Sequence, residues 1–121
     1  MKRDLELIRK MILAIEDAPT GRAPGRLEFD GYTYGQVAYH AYLLVDAGLA
    51  KGHDITAIGS DGPEALITSL TWAGHEFADA ARDETRWKKA MTTVQEKGGA
   101  VTLGVLTQLL IALMKGALGI P

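Results

Sequence analysis

The chain has 121 residues, enough for one domain with a real core and too few for two independent ones. Its 15 acidic residues against 13 basic ones leave a formal net charge of -2, which offers no bulk attraction to nucleic acid or anionic lipid. Cysteine is absent, so disulfides and thiolate metal or redox sites are excluded, in keeping with a reducing cytoplasm.

Met1 to Asp4 runs directly into an amphipathic pattern, so no signal peptide is predicted. Asp4 caps a predicted first helix to about Asp17, with Leu5, Ile8, Ile12 and Ile15 inward and Arg9, Lys10 and Glu16 outward. Pro19, Gly21, Pro24 and Gly25 stop that helix in a mobile loop, with Arg22 and Arg26 in or beside it. Leu27-Glu28-Phe29 alternates apolar with charged and predicts a short edge strand, closed by Asp30-Gly31. Thr33 with Gln36 forms a capping box that opens a second helix through Ala47, ended by Gly48, with Val37, Ala41 and Leu44 inward.

From Leu49 to Leu70 helical periodicity gives way to β-branched residues around Gly59-Ser60-Asp61-Gly62-Pro63, the pattern of a hairpin with a flexible tip. Thr71 caps a third helix in which Trp72 and Phe77 are expected in the core, with a restart at Asp83 before Trp87, Met91 and Val94. Gly98-Gly99 ends it, and a last helix runs from Thr102. Its Leu103, Leu106, Leu109, Leu110, Leu113 and Met114 cover more than one face. That stretch is shorter than the ~20 residues of a membrane span, so no membrane association is expected. Its surplus of apolar residues predicts a homodimer interface instead.

Helix, short strand, helix, two-stranded hairpin and helix, with one added C-terminal helix, is the α+β order of a winged-helix-like domain. The division expected is a winged-helix-like domain over 1–97 and a helical oligomerisation element over 98–121. Three stretches carry a resemblance: Met1 to Lys10; Tyr39-His40 through Leu43-Leu44 to Ala47-Gly48-Leu49; and Leu70-Thr71-Trp72-Ala73-Gly74-His75-Glu76-Phe77-Ala78-Asp79. They resemble the domain-of-unknown-function family 2513 (DUF2513) of bacteria, phages and prophages. The resemblance implies a winged-helix-like fold and a mobile-element origin, and it brings no activity or site residue. His40, Leu44, Ala47-Gly48-Leu49 and Leu70-Thr71 to Gly74 are also similar to winged-helix repressors in general. Gly31 to Tyr39, however, has room for little more than one turn before the presumed recognition helix.

No constellation of catalysis emerges. His75-Glu76 lacks the second histidine of a His-Glu-x-x-His zinc site, since position 79 is Asp, and His40 and His53 are isolated. Isolated histidines of this kind are packing or capping residues more often than ligands. No Gly-rich loop opens a helix with a lysine, and neither Ser60 nor Ser69 has a nucleophile's setting. An enzyme, a cofactor and a metal are therefore not expected.

The second helix offers Tyr34, Gln36, Tyr39 and Tyr42 to a groove but no lysine or arginine from Thr33 to Gly48. The presumed wing sets Lys51 against Asp54, Asp61 and Glu64, an arrangement that repels a phosphate backbone. Arg22, Arg26, Tyr34, Gln36, Tyr39 and Lys51 are the residues a DNA contact would use. Two functions follow. One is a phage- or prophage-type DNA-binding regulator. The other is a winged-helix protein that does not bind DNA and engages a host or phage protein as an adaptor or inhibitor, a role that an aromatic face beside an acidic wing suits.

Overall fold

The computed structural model describes residues 1–121 as an α+β chain: α1 (Leu5–Glu16), α2 (Tyr34–Asp46), β1 (Ala50–Asp54), β2 (Ala65–Leu70), α3 (Trp72–Ala81), α4 (Glu84–Glu96) and α5 (Leu103–Ala117). It forms two compact units, Met1–Glu76 and Phe77–Pro121. The Gly98-Gly99 turn, where the sequence suggests a domain boundary, lies inside the second unit.

In the first unit α1 starts where the Asp4 carboxylate accepts the Leu7 amide, as its sequence requires. Its buried stripe is broader than the spacing of Ile8, Ile12 and Ile15 implies, because Leu7 and Met11 are buried as well. Arg9 sits at the edge of that stripe. It was expected in solvent, but it is buried, with its guanidinium 3.8 Å from Glu6. Such a side chain covers apolar surface with its stem and keeps its charge satisfied at the tip.

α2 opens on the expected capping box: Thr33 Oγ1 accepts the Gln36 amide at 3.1 Å, and Gln36 Oε1 accepts the Thr33 amide at 2.8 Å. It closes with Gly48 at φ +77°, the Leu49 amide reaching back to the Leu44 carbonyl and the Gly48 amide to the Val45 carbonyl. Val37, Ala38, His40, Ala41 and Leu44 form the buried face.

β1 and β2 pair antiparallel, with a bulge between Lys51 and Gly52. At Gly52 a Cβ would collide with the Leu66 carbonyl, so the bulge depends on a residue without a side chain. The tip carries its own bridges: Thr56 Oγ1 accepts the Glu64 amide at 2.9 Å, and Ala57 and Ser60 bond to each other through the Ser60 hydroxyl and amide.

The predicted strand at Leu27 to Phe29 does not form. The Ala23 amide donates to the Thr68 carbonyl at 2.8 Å, the start of a third strand on β2. No second backbone bond from Pro24 to Phe29 follows it onto β2. The sheet therefore stays two-stranded.

Thr71 joins three elements. Its hydroxyl accepts the Gly74 amide and donates to the Gly48 carbonyl at 2.6 Å, and its own amide donates to the Leu49 carbonyl. At Gly74 a Cβ would strike the Leu49 carbonyl oxygen, so this first turn of α3 closes on the α2–β1 connection only with glycine there.

In the second unit α4 and α5 begin where the sequence puts the restart and the last helix, and the structure adds the caps: Asp83 accepts the Arg86 amide and Thr102 the Val105 amide. Positive-φ Gly98 and Gly99 make the turn between them, and α4 and α5 pack together. Trp87, Ala90 and Val94 on α4 and Leu106 and Leu110 on α5 are buried.

Phe77 is in the core at 2% exposure, but Trp72, expected there too, is 80% exposed. Phe77→Ala should therefore cost about 3–5 kcal/mol, while Trp72→Ala should stay within about 0.5 kcal/mol of the parent. Urea denaturation followed by circular dichroism measures both, and equal losses would contradict this placement.

Candidate nucleic-acid interface

The residues that a DNA contact would use are positioned by α2, the hairpin and the loop before α2, and each has a defined local environment. Tyr34 opens α2 and is 71% exposed. Gln36 is occupied: its amide oxygen closes the capping box, so it is not available to accept from a base edge. Tyr39 is half-buried, stacked on Tyr42 with ring centroids 6.4 Å apart and edge-on to His40.

Arg22 is exposed in a loop that the Ala23–Thr68 bond holds against β2. Arg26 was expected to be available to a groove. Its Nε instead lies 2.6 Å from Glu28 Oε1, so its charge already has a partner. Lys51 is exposed on β1, with its carbonyl accepting the Thr68 hydroxyl.

Two surface grooves show what the fold gathers. One, about 130 Å³, lies between Leu27, Tyr34, Val37, Ile55 and Leu66, with Arg26 on its wall. It is small against the ~300–1,000 Å³ of ordinary ligand pockets. The second, about 310 Å³, is lined by Met1, Gly35 and Tyr39 on one side and by Asp61 and Glu64 of the hairpin tip on the other. Arg22 and Lys51 line neither. The hairpin thus brings carboxylates, not cations, to the exposed flank of α2. Asp54 reinforces that sign: the Thr56 hydroxyl and backbone amide hold its carboxyl below the ordinary value, so it stays ionised.

Of the histidines, His40 packs in the core and His53 and His75 lie at the surface. His40 is 1% exposed. Its Nε2 accepts the Asp4 amide at 2.9 Å and its Nδ1–H donates to the Gln36 carbonyl at 2.8 Å. This pairing requires the neutral ring with its proton on Nδ1. His75 Nδ1 lies 2.9 Å from Glu16 Oε2, and His53 is exposed on β1. Beside Asp4, Tyr32 lies under the Lys10 ammonium, 5.7 Å from the ring centroid. Burial, and then the Asp4 carboxylate that its hydroxyl meets, raise the Tyr32 pKa and keep it protonated.

On α5 the expected interface residues divide. Leu106 and Leu110 are fully buried and unavailable to any partner, and Leu103, Leu109, Leu113 and Met114 are half-buried. The outward apolar residues are Val105, which the sequence places beside the stripe, and Ile111, Leu118 and Ile120, which it does not single out. The sequence reading also missed the exposed Trp72, whose indole Nε1–H donates to Glu76 Oε1 at 3.0 Å. The four-residue spacing of an aromatic donor and a carboxylate on one helix was the available signal.

Residues 2–100 match the family model described as "Hypothetical protein (DUF2513)". That span stops short of α5. The chain is also 35% identical over 111 residues to an "Uncharacterized protein" of Haemophilus influenzae, an alignment that covers 89% of this chain and 91% of the relative. No solved structure matches it. With the family model spanning most of the chain and the Haemophilus relative aligned almost end to end, the chain belongs to the DUF2513 family.

Proposed function

We propose that this chain is a winged-helix-like protein that acts by engaging another protein through α2 and the hairpin, as an adaptor or a phage-encoded inhibitor of a host system. The observation that carries the reading is the groove in which Asp61 and Glu64 face Tyr39. A helix that reads DNA lies against phosphates, and carboxylates on its flank oppose that approach. Gln36 and Arg26, the two side chains best suited to base and phosphate contacts, already have partners within the chain. What α2 leaves outward is aromatic, and tyrosine gives rigid contact area to protein partners.

A DNA-binding regulator is the second reading. Arg22 favours it, exposed on a loop fastened to the hairpin edge. In either reading the chain pairs as a homodimer through the outward residues of α5, Val105 and Ile111 among them. Membrane association is no part of the proposal, and no helix is long and apolar enough to cross a membrane.

Fluorescence anisotropy on a random-sequence duplex at low salt separates the readings. The protein-engaging reading expects no saturable binding at micromolar protein. Saturable binding that falls steeply with salt, and weakens for all sequences in the Arg22→Ala/Arg26→Ala double variant, would replace it with the regulator. Sedimentation equilibrium at micromolar concentration should show a dimer that Val105→Asp with Ile111→Asp converts to monomer. A strictly monomeric parent chain would remove the dimer from the proposal.

A further inference from the structure

The stretch from Leu70 to Phe77 contains residues that packing explains and residues that it does not. Thr71 caps α3, Gly74 permits close approach to the Leu49 carbonyl, and Phe77 is buried. Trp72, His75 and Glu76 fall at i, i+3 and i+4, on one helix face, and all three are exposed. Trp72→Ala would remove nothing from the core.

We propose that Trp72 and Glu76 form a docking site for an arginine-bearing segment of a partner protein. The indole has one donor, and that donor is bound to Glu76 Oε1 at 3.0 Å, which fixes the ring and leaves its face as the recognising surface. A side chain ordered before binding loses less freedom when a partner arrives. The tryptophan face is the strongest aromatic receptor for a cation, and arginine is the cation that most often stacks there. Glu76 places a carboxylate at the edge of that face, where a guanidinium lying on the ring would meet it in a charge-assisted hydrogen bond.

The surrounding charge agrees. Glu16 stands beside His75 at 2.9 Å, and no lysine or arginine occurs from Leu70 to Phe77. Phosphate or an acidic peptide would meet carboxylates of its own sign. The site lies on α3, on different residues from the α2–hairpin face, and stands whether or not that face engages a protein.

The test uses the full-length chain and a hexa-arginine peptide, followed by nuclear magnetic resonance of the two indole N–H groups. Trp87 is 2% exposed and serves as an internal reference. The Trp72 indole resonance should move saturably with the peptide while that of Trp87 stays, and a hexa-glutamate peptide should move neither. Glu76→Gln should weaken binding about ten-fold, equivalent to ~1.4 kcal/mol, and Trp72→Ala should abolish the saturable calorimetric signal while keeping the dispersed spectrum of the folded chain. Binding that persists in Trp72→Ala, or equal shifts with hexa-glutamate, would overturn the proposal. So would a Trp72 shift that appears without peptide and vanishes on dilution, which would assign the face to a second copy of the chain.

Discussion

One imidazole ring holds the first helix of this protein to the second. His40, buried in α2, accepts the backbone amide of Asp4 on one side and donates to the Gln36 carbonyl on the other. Asp4 is the cap of α1, so a single side chain connects the start of one helix to the first turns of the next across 36 positions of sequence. An apolar residue of similar size would fill the space but leave the Asp4 amide without its acceptor, a loss worth ~1–3 kcal/mol for a buried group. Tyr32 and Lys10 close around the same cap, with the Tyr32 hydroxyl on the Asp4 carboxylate. The polar groups near the start of α2 are thereby committed within the chain, which is why its outward face is left to Tyr34 and the Tyr39–Tyr42 stack.

The hairpin is aimed by a second constraint, the contact among Gly48, Leu49, Thr71 and Gly74. Both ends of the hairpin meet there: the Leu49 carbonyl takes the Thr71 amide, and the Thr71 hydroxyl takes hold of the Gly48 carbonyl. Glycine at 74 lets the helix backbone come down on this joint, and glycine at 52 lets the bulge bend β1 against β2. With the base fixed and the tip bridged through Thr56 and Ser60, Asp61 and Glu64 are delivered to the flank of α2 beside Tyr39. The sign of that flank follows from the backbone as much as from composition.

Local hydrogen bonding was legible in the sequence. The caps at Asp4 and Thr33 and the helix stop at Gly48 depend on residues a few positions apart, and all are present, as are helix starts at Asp83 and Thr102. Features set by distant partners were not. The alternation at Leu27 to Phe29 says nothing of whether a neighbouring strand is there to pair with, and the Arg26–Glu28 pair belongs to a loop whose course no periodicity describes. Trp72 and Phe77 both look like core residues by type, yet five residues turn a helix by roughly 140° beyond one full circle. Only Phe77 faces inward. The role of His40 is legible in neither composition nor spacing, since its partner amide belongs to Asp4 and could have belonged to any residue in that place.

The tie between α1 and α2 rests on the direction in which the His40 ring bonds. Long-range proton–nitrogen correlation spectra of the uniformly labelled chain at neutral pH read which ring nitrogen carries the proton. The expected result is a ring with its proton on Nδ1 and with Nε2 bare, accepting from the Asp4 amide. A ring protonated at Nε2 would contradict it, because the Asp4 amide would then have no acceptor and the tie between α1 and α2 would not exist as described.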